Sequence, residues 1–287
     1  MQPLATPTSC LTFEDALLDE HVRVVTEDKP MARFELEPLN ELLGGVYPGQ
    51  MVGVGATPGS GKTSLMLQLA DELAARGLPV IFVSVELPAH KLLIKSLVRL
   101  SGRLSLGDVA QASDDSEIHS ALENAIERYR DSIAPNLCIT GNVTVSELGK
   151  LVAECVHARN QTPVVFIDYL QLLATSGPDP FADERLAIAA CVKQLRDLAN
   201  SYMVPIYAIS TITRSAYGKR KPDLSIFGGA AVIEYSLDAA LYLNAEDESS
   251  AYGPQPLTLT ALKNRYGTTG SVSLSFDAAR AEFAARK

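Results

Sequence analysis

The sequence predicts an α/β fold, in which a mainly parallel, twisted β-sheet is flanked by helices and ends in a β-hairpin. From Leu39 onward, short apolar runs alternate with segments of helical periodicity, which is typical of βαβ units. The last two apolar runs flank a glycine-containing turn, as the strands of a hairpin do. The 287 residues leave room for one large domain over residues 31–287 and a short N-terminal arm over residues 1–30.

The predicted strands are short apolar runs bounded by turn residues. Those that precede the hairpin are Met51–Gly55, Val80–Val85, Leu137–Thr140, Val164–Asp168, Ile206–Ser210 and Ala239–Leu243. The hairpin strands are Leu257–Lys263 and Ser271–Phe276, on either side of Gly267–Gly270. We expect Val80–Val85 to lie beside Met51–Gly55 in the sheet.

The predicted helices between these strands are Lys62–Arg76, Thr144–Ala158 and Ala182–Tyr202. Gly77 ends the first of them, and Thr144 with Glu147 has the spacing of a capping box. A short amphipathic helix, Thr12–Glu20, is predicted in the arm. Because it is too short to be stable alone, it packs either on its own domain or on a neighbouring copy.

The composition is that of an ordinary globular protein, with 47% apolar and 21% charged residues. No run approaches the roughly 18 uncharged apolar residues of a membrane helix. The N-terminal residues are acidic where a signal peptide would be basic. We therefore expect a cytoplasmic protein.

Charge and cysteine usage argue against two kinds of site. The net charge of −9 argues against a surface coated in DNA-binding charge, so nucleic acid would need a local patch or a ring lumen. The four cysteines are far apart, with no histidine at ligand spacing. They are Cys10, Cys138, Cys155 and Cys191, and reduced structural thiols are favoured over a metal site.

A phosphate-binding P-loop is indicated by GATPGSGKTS, which joins the predicted strand Met51–Gly55 to a predicted helix. Gly59 and Gly61 let the backbone curl so that its N–H groups face phosphate oxygens, beside the helix N-terminus. Lys62 is expected to reach the β- and γ-phosphates of ATP. The predicted binding residues are Ala56, Thr57, Pro58, Gly59, Ser60, Gly61, Lys62, Thr63 and Ser64. Ala56 departs from the strict pattern, which leaves a chance glycine-rich loop as the alternative.

Two carboxylates complete the predicted ATP site. Asp168 ends a strongly apolar strand, where a charge is costly unless it meets a partner. Mg²⁺ held by the phosphates, Thr63 and Asp168 is that partner. Glu86 ends the run VIFVSVE and is expected to orient and deprotonate water. A solvated acid at a strand end is the alternative for Glu86.

Six stretches in this order resemble the ATPase domain of DnaB-type hexameric replicative helicases, within the RecA-like P-loop NTPases. They are LNELLGGVYPGQMVGVGATPGSGKTS, FVSVELP, VTVSELGKLV, VVFIDYLQLL, KRKPDLS and LKNRYGTTGSVSLSF. An alanine such as Ala56 is usual in that family's loop. The resemblance implies that Glu86 is the catalytic glutamate and Asp168 the Walker B aspartate.

The same resemblance implies that Lys263 and Arg265 are lysine and arginine fingers, which one subunit inserts into the ATP site of the next. Residues two apart on a strand point the same way, which agrees with a shared direction for both cations. A cation supplied in trans can contribute ~10³ to 10⁵ in rate, so hydrolysis would depend on ring assembly. Two solvated charges at the end of the hairpin are the alternative.

The chain departs from the family's pattern in three places. The resemblance does not include the family's N-terminal domain, which engages primase, so a primase-linked role is in doubt. Thr211 stands where the family usually has a glutamine that senses the γ-phosphate, and a short hydroxyl does not reach as far. The expected DNA-facing loop has Gly228 and Gly229 where the helicases tend to carry an arginine and a glutamate, as in the second DNA loop of RecA-type recombinases.

The predicted DNA contacts are Arg214, Lys219, Arg220, Lys221, Gly228 and Gly229. The three consecutive cations are the local patch that an acidic protein would need, and glycine N–H groups can hold phosphates. A solvated charge run is the alternative. The absence of base-reading elements predicts binding without sequence preference.

The resemblance implies an ATP-hydrolysing motor that assembles as a ring, expected to be a hexamer, and unwinds or translocates along single-stranded DNA in replication. One alternative is a RecA-like ATPase that binds DNA or replication and recombination proteins without unwinding. Another is a regulatory or loader subunit that uses ATP to hold a partner. Glu86 with Lys263 and Arg265 favours hydrolysis over the last alternative, whereas Gly228 and Gly229 keep the first one open.

Overall fold

The computed structural model describes residues 29–111, 115–175, 183–212, 223–227, 231–245 and 253–286. Within these ranges, one sheet contains all of the named strands. They are β1 Met51–Ala56, β2 Val80–Ser84, β3 Leu137–Thr140, β4 Val164–Asp168, β5 Ile206–Ser210, β6 Ala239–Ala245, β7 Gln255–Asn264, β8 Gly270–Asp277 and β9 Glu282–Ala285. Their order in the sheet is β3-β2-β4-β5-β1-β6-β7-β8-β9. The predicted α/β class is confirmed.

The sheet has a parallel part and an antiparallel part. Strands β1 to β6 are parallel, and β7, β8 and β9 continue the sheet as antiparallel neighbours. All six predicted strands and the predicted hairpin are therefore present, with ends shifted by a few residues. The sequence reasoning missed β9, which pairs with β8.

One predicted neighbour relation is wrong. Val80–Val85 was expected beside the first strand, but β4 and β5 lie between β2 and β1. Consecutive strands of α/β sheets are neighbours only about two-thirds of the time, and this crossover passes over two positions that are filled later in the chain. Because β2 remains parallel to the others, its carboxyl end still lies at the same edge of the sheet as that of β1.

Helices cover both faces of the sheet. They are α1 Glu37–Leu43, α2 Lys62–Ala75, α3 Ala89–Ser101, α4 Leu106–Gln111, α5 Ser116–Arg128, α6 Val145–Arg159, α7 Leu170–Thr175, α8 Glu184–Tyr202 and α9 Ala231–Ser236. A π-helical turn Tyr129–Ile133 follows α5, and a 3₁₀ turn Leu224–Phe227 precedes α9. The three predicted helices between the strands correspond to α2, α6 and α8.

Local capping explains where two of these helices begin. Thr144 is the residue before α6, and its side chain and that of Glu147 form the predicted capping box. The helix therefore starts at Val145, one residue later than predicted. The side chain of Asp183 accepts from the N–H of Arg185 and caps α8 in the same way.

In the described part of the chain, the hydrophobic core has two parts, one on each face of the sheet. Along β4, Phe166 packs with α2, whereas Val165 and Ile167 pack with α6 and α8. Such strands are buried on both faces, which is why they appear in the sequence as continuous apolar runs. The predicted arm helix Thr12–Glu20 lies outside the described residues. None of the helices in the described ranges is long and apolar enough to cross a membrane.

Candidate functional site

A cleft of ≈ 520 Å³ opens at the edge of the sheet where β1, β2, β4 and β5 end. Segments that are far apart in sequence supply its walls, because carboxyl ends of parallel strands meet at one edge. The residues that line it are Pro58, Gly59, Gly61, Lys62, Thr63, Ser64, Glu86, Leu87, Lys95, Tyr169, Ile209, Thr211, Phe276 and Ala278. The predicted glycine-rich loop thus forms one wall of the cleft.

The loop between β1 and α2 has the curled backbone that its glycines predict. Gly59 and Gly61 both have φ of 83°, a left-handed conformation that other residues rarely adopt. A side chain at Gly61 would also lie 2.7 Å from the ring of Phe276. Inside the loop, the Ser60 hydroxyl donates to the Thr57 carbonyl at 2.6 Å. The loop is therefore held in shape by its own hydrogen bonds and by β8.

The Lys62 side chain contacts the start of this loop. Its ammonium group donates to the carbonyls of Ala56 and Thr57, both at 2.9 Å. Burial lowers the pKa of Lys62, whereas the carboxylates of Asp168 and Glu86 act in the opposite direction. The cation is thus placed between loop carbonyls and two acidic groups of the cleft.

Asp168 is the last residue of β4 and is 1% exposed. Burial raises the pKa of Asp168 to about 6, although a hydrogen bond from Thr63 and the nearby Lys62 and Lys95 lower it. Its Oδ2 atom is buried and has no hydrogen-bond partner among the described residues. A buried carboxylate oxygen beside a threonine hydroxyl is a donor set that suits Mg²⁺. Asp168 and Thr63 therefore fit the predicted metal.

Glu86 lies in the bend after β2 and is exposed to solvent in the cleft. Its negative charge raises the pKa of both Lys62 and Asp168, which places it within electrostatic reach of both. The structure thus brings Glu86 to the predicted site, even though β2 is not the neighbour of β1.

Lys95 is a residue of the cleft that the sequence reasoning missed. It lies on α3, and its ammonium group donates to the Ser64 hydroxyl at 3.2 Å. Burial and the nearby Arg99 lower the pKa of Lys95, and Asp168 opposes them. The signal in the sequence was a lysine three residues after Leu92 and three before Val98, two buried residues of α3 that lie on either side of it around the helix.

Thr211 follows β5 and also lines the cleft. Its backbone N–H donates to Oε1 of Gln171 at 3.1 Å, and Nε2 of Gln171 donates to the Ser210 hydroxyl at 2.8 Å. Gln171 belongs to the IDYLQLL stretch, three residues after Asp168. These bonds connect the segment after β4 to the end of β5.

Neither Lys263 nor Arg265 lines the cleft of its own chain. Lys263 is in register with Ala240, near the end of β7, and Arg265 follows that strand. Arg265 bonds to Asp238, whose carboxylate also accepts from the N–H of Met51, the first residue of β1. The P-loop follows Ala56, the last residue of β1. The length of β1, about 17 Å, therefore separates Arg265 from the P-loop.

The expectation that both cations point the same way stays a prediction. Strand β7 ends at Asn264, one residue before Arg265, but the N–H of Arg265 still donates to the Asp238 carbonyl at 2.8 Å. The register of β7 against β6 shifts at Leu262, before Lys263, so this bulge does not lie between the two cations.

Other predicted residues are placed as follows. The predicted DNA contacts Arg214, Lys219, Arg220, Lys221, Gly228 and Gly229 lie outside the described residues. Cys138, Cys155 and Cys191 are free thiols, and burial raises the pKa of Cys191 to about 12. Cys10 lies outside the described residues.

Comparison with protein families gives a match over most of the chain. Residues 33–285 match the model described as DnaB-like helicase C terminal domain. A replicative DNA helicase DnaB of Treponema pallidum (strain Nichols) is 28% identical over 250 residues, which are 86% of this chain and 54% of the relative. The corresponding protein of Pasteurella multocida (strain Pm70) is 28% identical over 258 residues, 84% of this chain and 52% of the relative. The chain thus spans about half the length of these curated relatives.

Solved structures show the same fold. One, described as an ATPase domain, superposes with a TM-score of 0.82 at 21% identity, covering 96% of this chain and 99% of that one. A DnaB-like replicative helicase, described with its interactions with primase, gives 0.82 at 20% identity, covering 96% and 67%. A KaiC-like protein of Pyrococcus horikoshii OT3 gives 0.60 at 16% identity, covering 89% and 100%. The fold is therefore RecA-like.

Proposed function

Because the chain belongs to the family of DnaB-like helicase C-terminal domains, we propose that it is an ATP-hydrolysing, ring-forming motor that acts on single-stranded DNA in the cytoplasm. The observation that supports this most directly is the cleft itself. Lys62, Glu86 and Asp168 come from three different segments and interact electrostatically there. This convergence is what transfer of a phosphoryl group to water requires.

Each residue of the cleft has a role in this proposal. The N–H groups of the loop and the Lys62 ammonium bind the β- and γ-phosphates. Thr63 and Asp168 hold Mg²⁺, which supplies charge neutralisation at the phosphates when it is bound. Glu86 is exposed to solvent in the cleft, so it orients a water molecule and accepts its proton. Lys95 adds a second cation beside Ser64.

Hydrolysis in this proposal depends on a second subunit. Arg265 lies beside the first residue of β1, and the P-loop follows the last one. The length of that strand, about 17 Å, is too great for Arg265 to contact the ATP of its own chain directly. In a closed ring, a surface at one edge of a subunit meets a different surface of the next subunit. Arg265, with Lys263 beside it, therefore serves the ATP of the neighbouring subunit.

DNA binding is assigned to the segment with the predicted contacts. The run Lys219, Arg220 and Lys221 offers cations for the phosphate backbone, and Gly228 and Gly229 offer backbone N–H groups. Such contacts neutralise phosphates without reading bases, so binding has little sequence preference and weakens with added salt.

We expect single-stranded DNA to stimulate ATP hydrolysis, and the active species to have the mass of a hexamer. Phosphate release with and without a mixed-sequence oligonucleotide measures the first, and sedimentation of the same sample measures the second. Strand separation of a forked duplex then distinguishes a helicase from a motor that only translocates. A monomer that hydrolyses ATP at an unchanged rate with DNA would contradict the proposal and favour a RecA-like ATPase of another kind.

Asp168→Asn is expected to stabilise the protein without nucleotide while it abolishes Mg²⁺-dependent turnover. Because the pKa of Asp168 is raised to about 6, folding makes ionisation harder, and stability falls as pH rises through this range. Removal of the charge should raise the free energy of unfolding at pH 7 by up to about 3 kcal/mol. Denaturant titration at pH 7 measures the difference, which should shrink near pH 4, where the parent carboxyl is protonated. A variant less stable than the parent at pH 7 would contradict this account of Asp168.

A further inference from the structure

Two arginines converge on one buried carboxylate at the edge of the sheet opposite the cleft. Asp238 is 2% exposed. Arg196 of α8 donates from Nη2 to its Oδ2 atom at 2.8 Å, and Arg265 donates from Nη1 to its Oδ1 atom at 3.1 Å. One carboxylate neutralises one guanidinium, so the cluster has a surplus of one positive charge.

The same aspartate is bonded to the first residue of the central strand. The N–H of Met51 donates to Oδ2 of Asp238 at 2.8 Å, and the N–H of Asp238 donates to the Met51 carbonyl at 2.8 Å. The N–H of Arg265 donates to the Asp238 carbonyl at 2.8 Å. Asp238 therefore ties both the backbone and the side chain of Arg265 to β1.

The two arginines use their donors differently. Arg196 directs its guanidinium inward, to Asp238 and to the carbonyls of Gly49 and Ser236, and its side chain is 20% exposed. Arg265 bonds to Asp238 and to the Tyr235 carbonyl, and its side chain is 51% exposed. These two bonds engage two of the five N–H groups of a guanidinium. For the other three N–H groups of Arg265, the described residues supply no acceptor.

Arg196 alone is enough to neutralise Asp238, so a second, half-exposed arginine is not needed to bury the carboxylate. Arg265 begins an exposed turn between β7 and β8, where a long side chain would otherwise sample many rotamers. The bonds to Asp238 and Tyr235 hold its guanidinium through Nη1 and Nη2 and leave three of its N–H groups for another molecule. This is the arrangement of a pre-oriented group that binds a phosphate on another molecule.

We propose that Asp238 is the positioning residue of Arg265, holding its guanidinium in the orientation that meets the ATP of the neighbouring subunit. This inference rests on the proposed function, since it requires a ring in which Arg265 acts in trans. Asp238 touches no nucleotide in this scheme. It acts by linking Arg265 to β1, so that the sheet and not the hairpin turn sets the position of the cation.

The test uses Asp238→Asn in the full chain. We expect a ring that binds a fluorescent ATP analogue as the parent does, with kcat about ten- to a hundredfold lower and KM nearly unchanged. When mixed with Lys62→Ala subunits, it should recover activity, because Lys62→Ala subunits supply an intact Arg265 held by an intact Asp238. A role of Asp238 confined to the stability of its own subunit predicts no recovery. Arg196→Gln is the matched control, since it removes the other arginine from the same carboxylate, and it should lower kcat much less.

The mixture of Arg265→Ala with Lys62→Ala tests the trans mechanism separately from the role of Asp238. If ATP hydrolysis recovers in that mixture but not in the Asp238→Asn mixture, the proposed role of Asp238 is wrong and the trans mechanism stands. No recovery in either mixture, once subunit exchange is shown by fluorescence transfer, overturns the trans mechanism and this inference with it. A kcat of Asp238→Asn equal to or above that of the parent also overturns it.

A second variant keeps the inference testable if Asp238→Asn does not fold. Arg265→Lys keeps the charge at an exposed position but loses the fork that binds Asp238 and the Tyr235 carbonyl together. We expect kcat to fall about tenfold or more, with nucleotide binding and ring mass unchanged. Full activity of Arg265→Lys would show that orientation by Asp238 is not needed, and would overturn the inference.

Discussion

Glu86→Gln is expected to bind ATP and assemble as the parent does, but to hydrolyse ATP about 10²- to 10⁴-fold more slowly. The glutamine keeps the size of the side chain and can still contact water, but it cannot accept a proton. Glu86 is the exposed carboxylate of the cleft, whereas Asp168 is buried and assigned to the metal. Single-turnover phosphate release measures the rate, and a fluorescent ATP analogue measures binding.

The control for this experiment is Glu123→Gln, which makes the same chemical change on α5, at an exposed residue that does not line the cleft. It should leave both rate and binding unchanged. If Glu86→Gln also turned over ATP at the parent rate, Glu86 would be a solvated acid at the end of a strand. A loss of ATP binding in Glu86→Gln would equally contradict its assignment as the base.

The parallel strands were predictable because their burial leaves a continuous apolar run in the sequence. Leu137–Thr140, Val164–Asp168 and Ile206–Ser210 have the predicted bounds. The order of the strands was not predictable, since it depends on which positions later segments occupy. The helices between β2 and β3 were missed as well: α3 and α5 each bury only a narrow stripe, and the predictions covered no element in that stretch.

The residues of the candidate site were also predictable only in part. The P-loop residues could be named because the phosphate contacts come from consecutive residues, whose spacing is visible in the sequence. Lys95 could not, because its partner Ser64 lies 31 residues away on another helix. Asp238 is the stronger case, since its bond to Met51 spans 187 residues. A carboxylate that bonds to residues so distant in sequence can be identified only when the order of the strands in the sheet is known.

Arg265→Ala is expected to fold, which makes it a clean test of catalysis. Loss of the Arg265 side chain does not leave Asp238 as an unpaired buried charge, since Arg196 and the N–H of Met51 still donate to Oδ2 at 2.8 Å each. The truncated side chain is half-exposed, so little apolar contact is lost. We expect ATP hydrolysis by this variant to fall by ~10³ to 10⁵.

Mixing Arg265→Ala subunits with Lys62→Ala subunits is expected to restore ATP hydrolysis to two inactive preparations. Lys62→Ala lacks the cation that meets the phosphates, and Arg265→Ala lacks the cation that completes the neighbour's site. In an equal and random mixture, about one interface in four pairs an intact P-loop with an intact Arg265, so activity should reach about a quarter of the parent value.

Fluorescence transfer between labelled copies must first show that subunits exchange, and the control is each variant mixed with its own labelled form, which should stay inactive. Arg265 acting on its own ATP predicts no recovery at any ratio, because each subunit would then carry a lesion in its only site. The 17 Å or so of strand between Arg265 and its own P-loop argues against that outcome. If it were observed with exchange shown, the ring-interface mechanism would be wrong, and only the proposed role of the P-loop in ATP binding would remain.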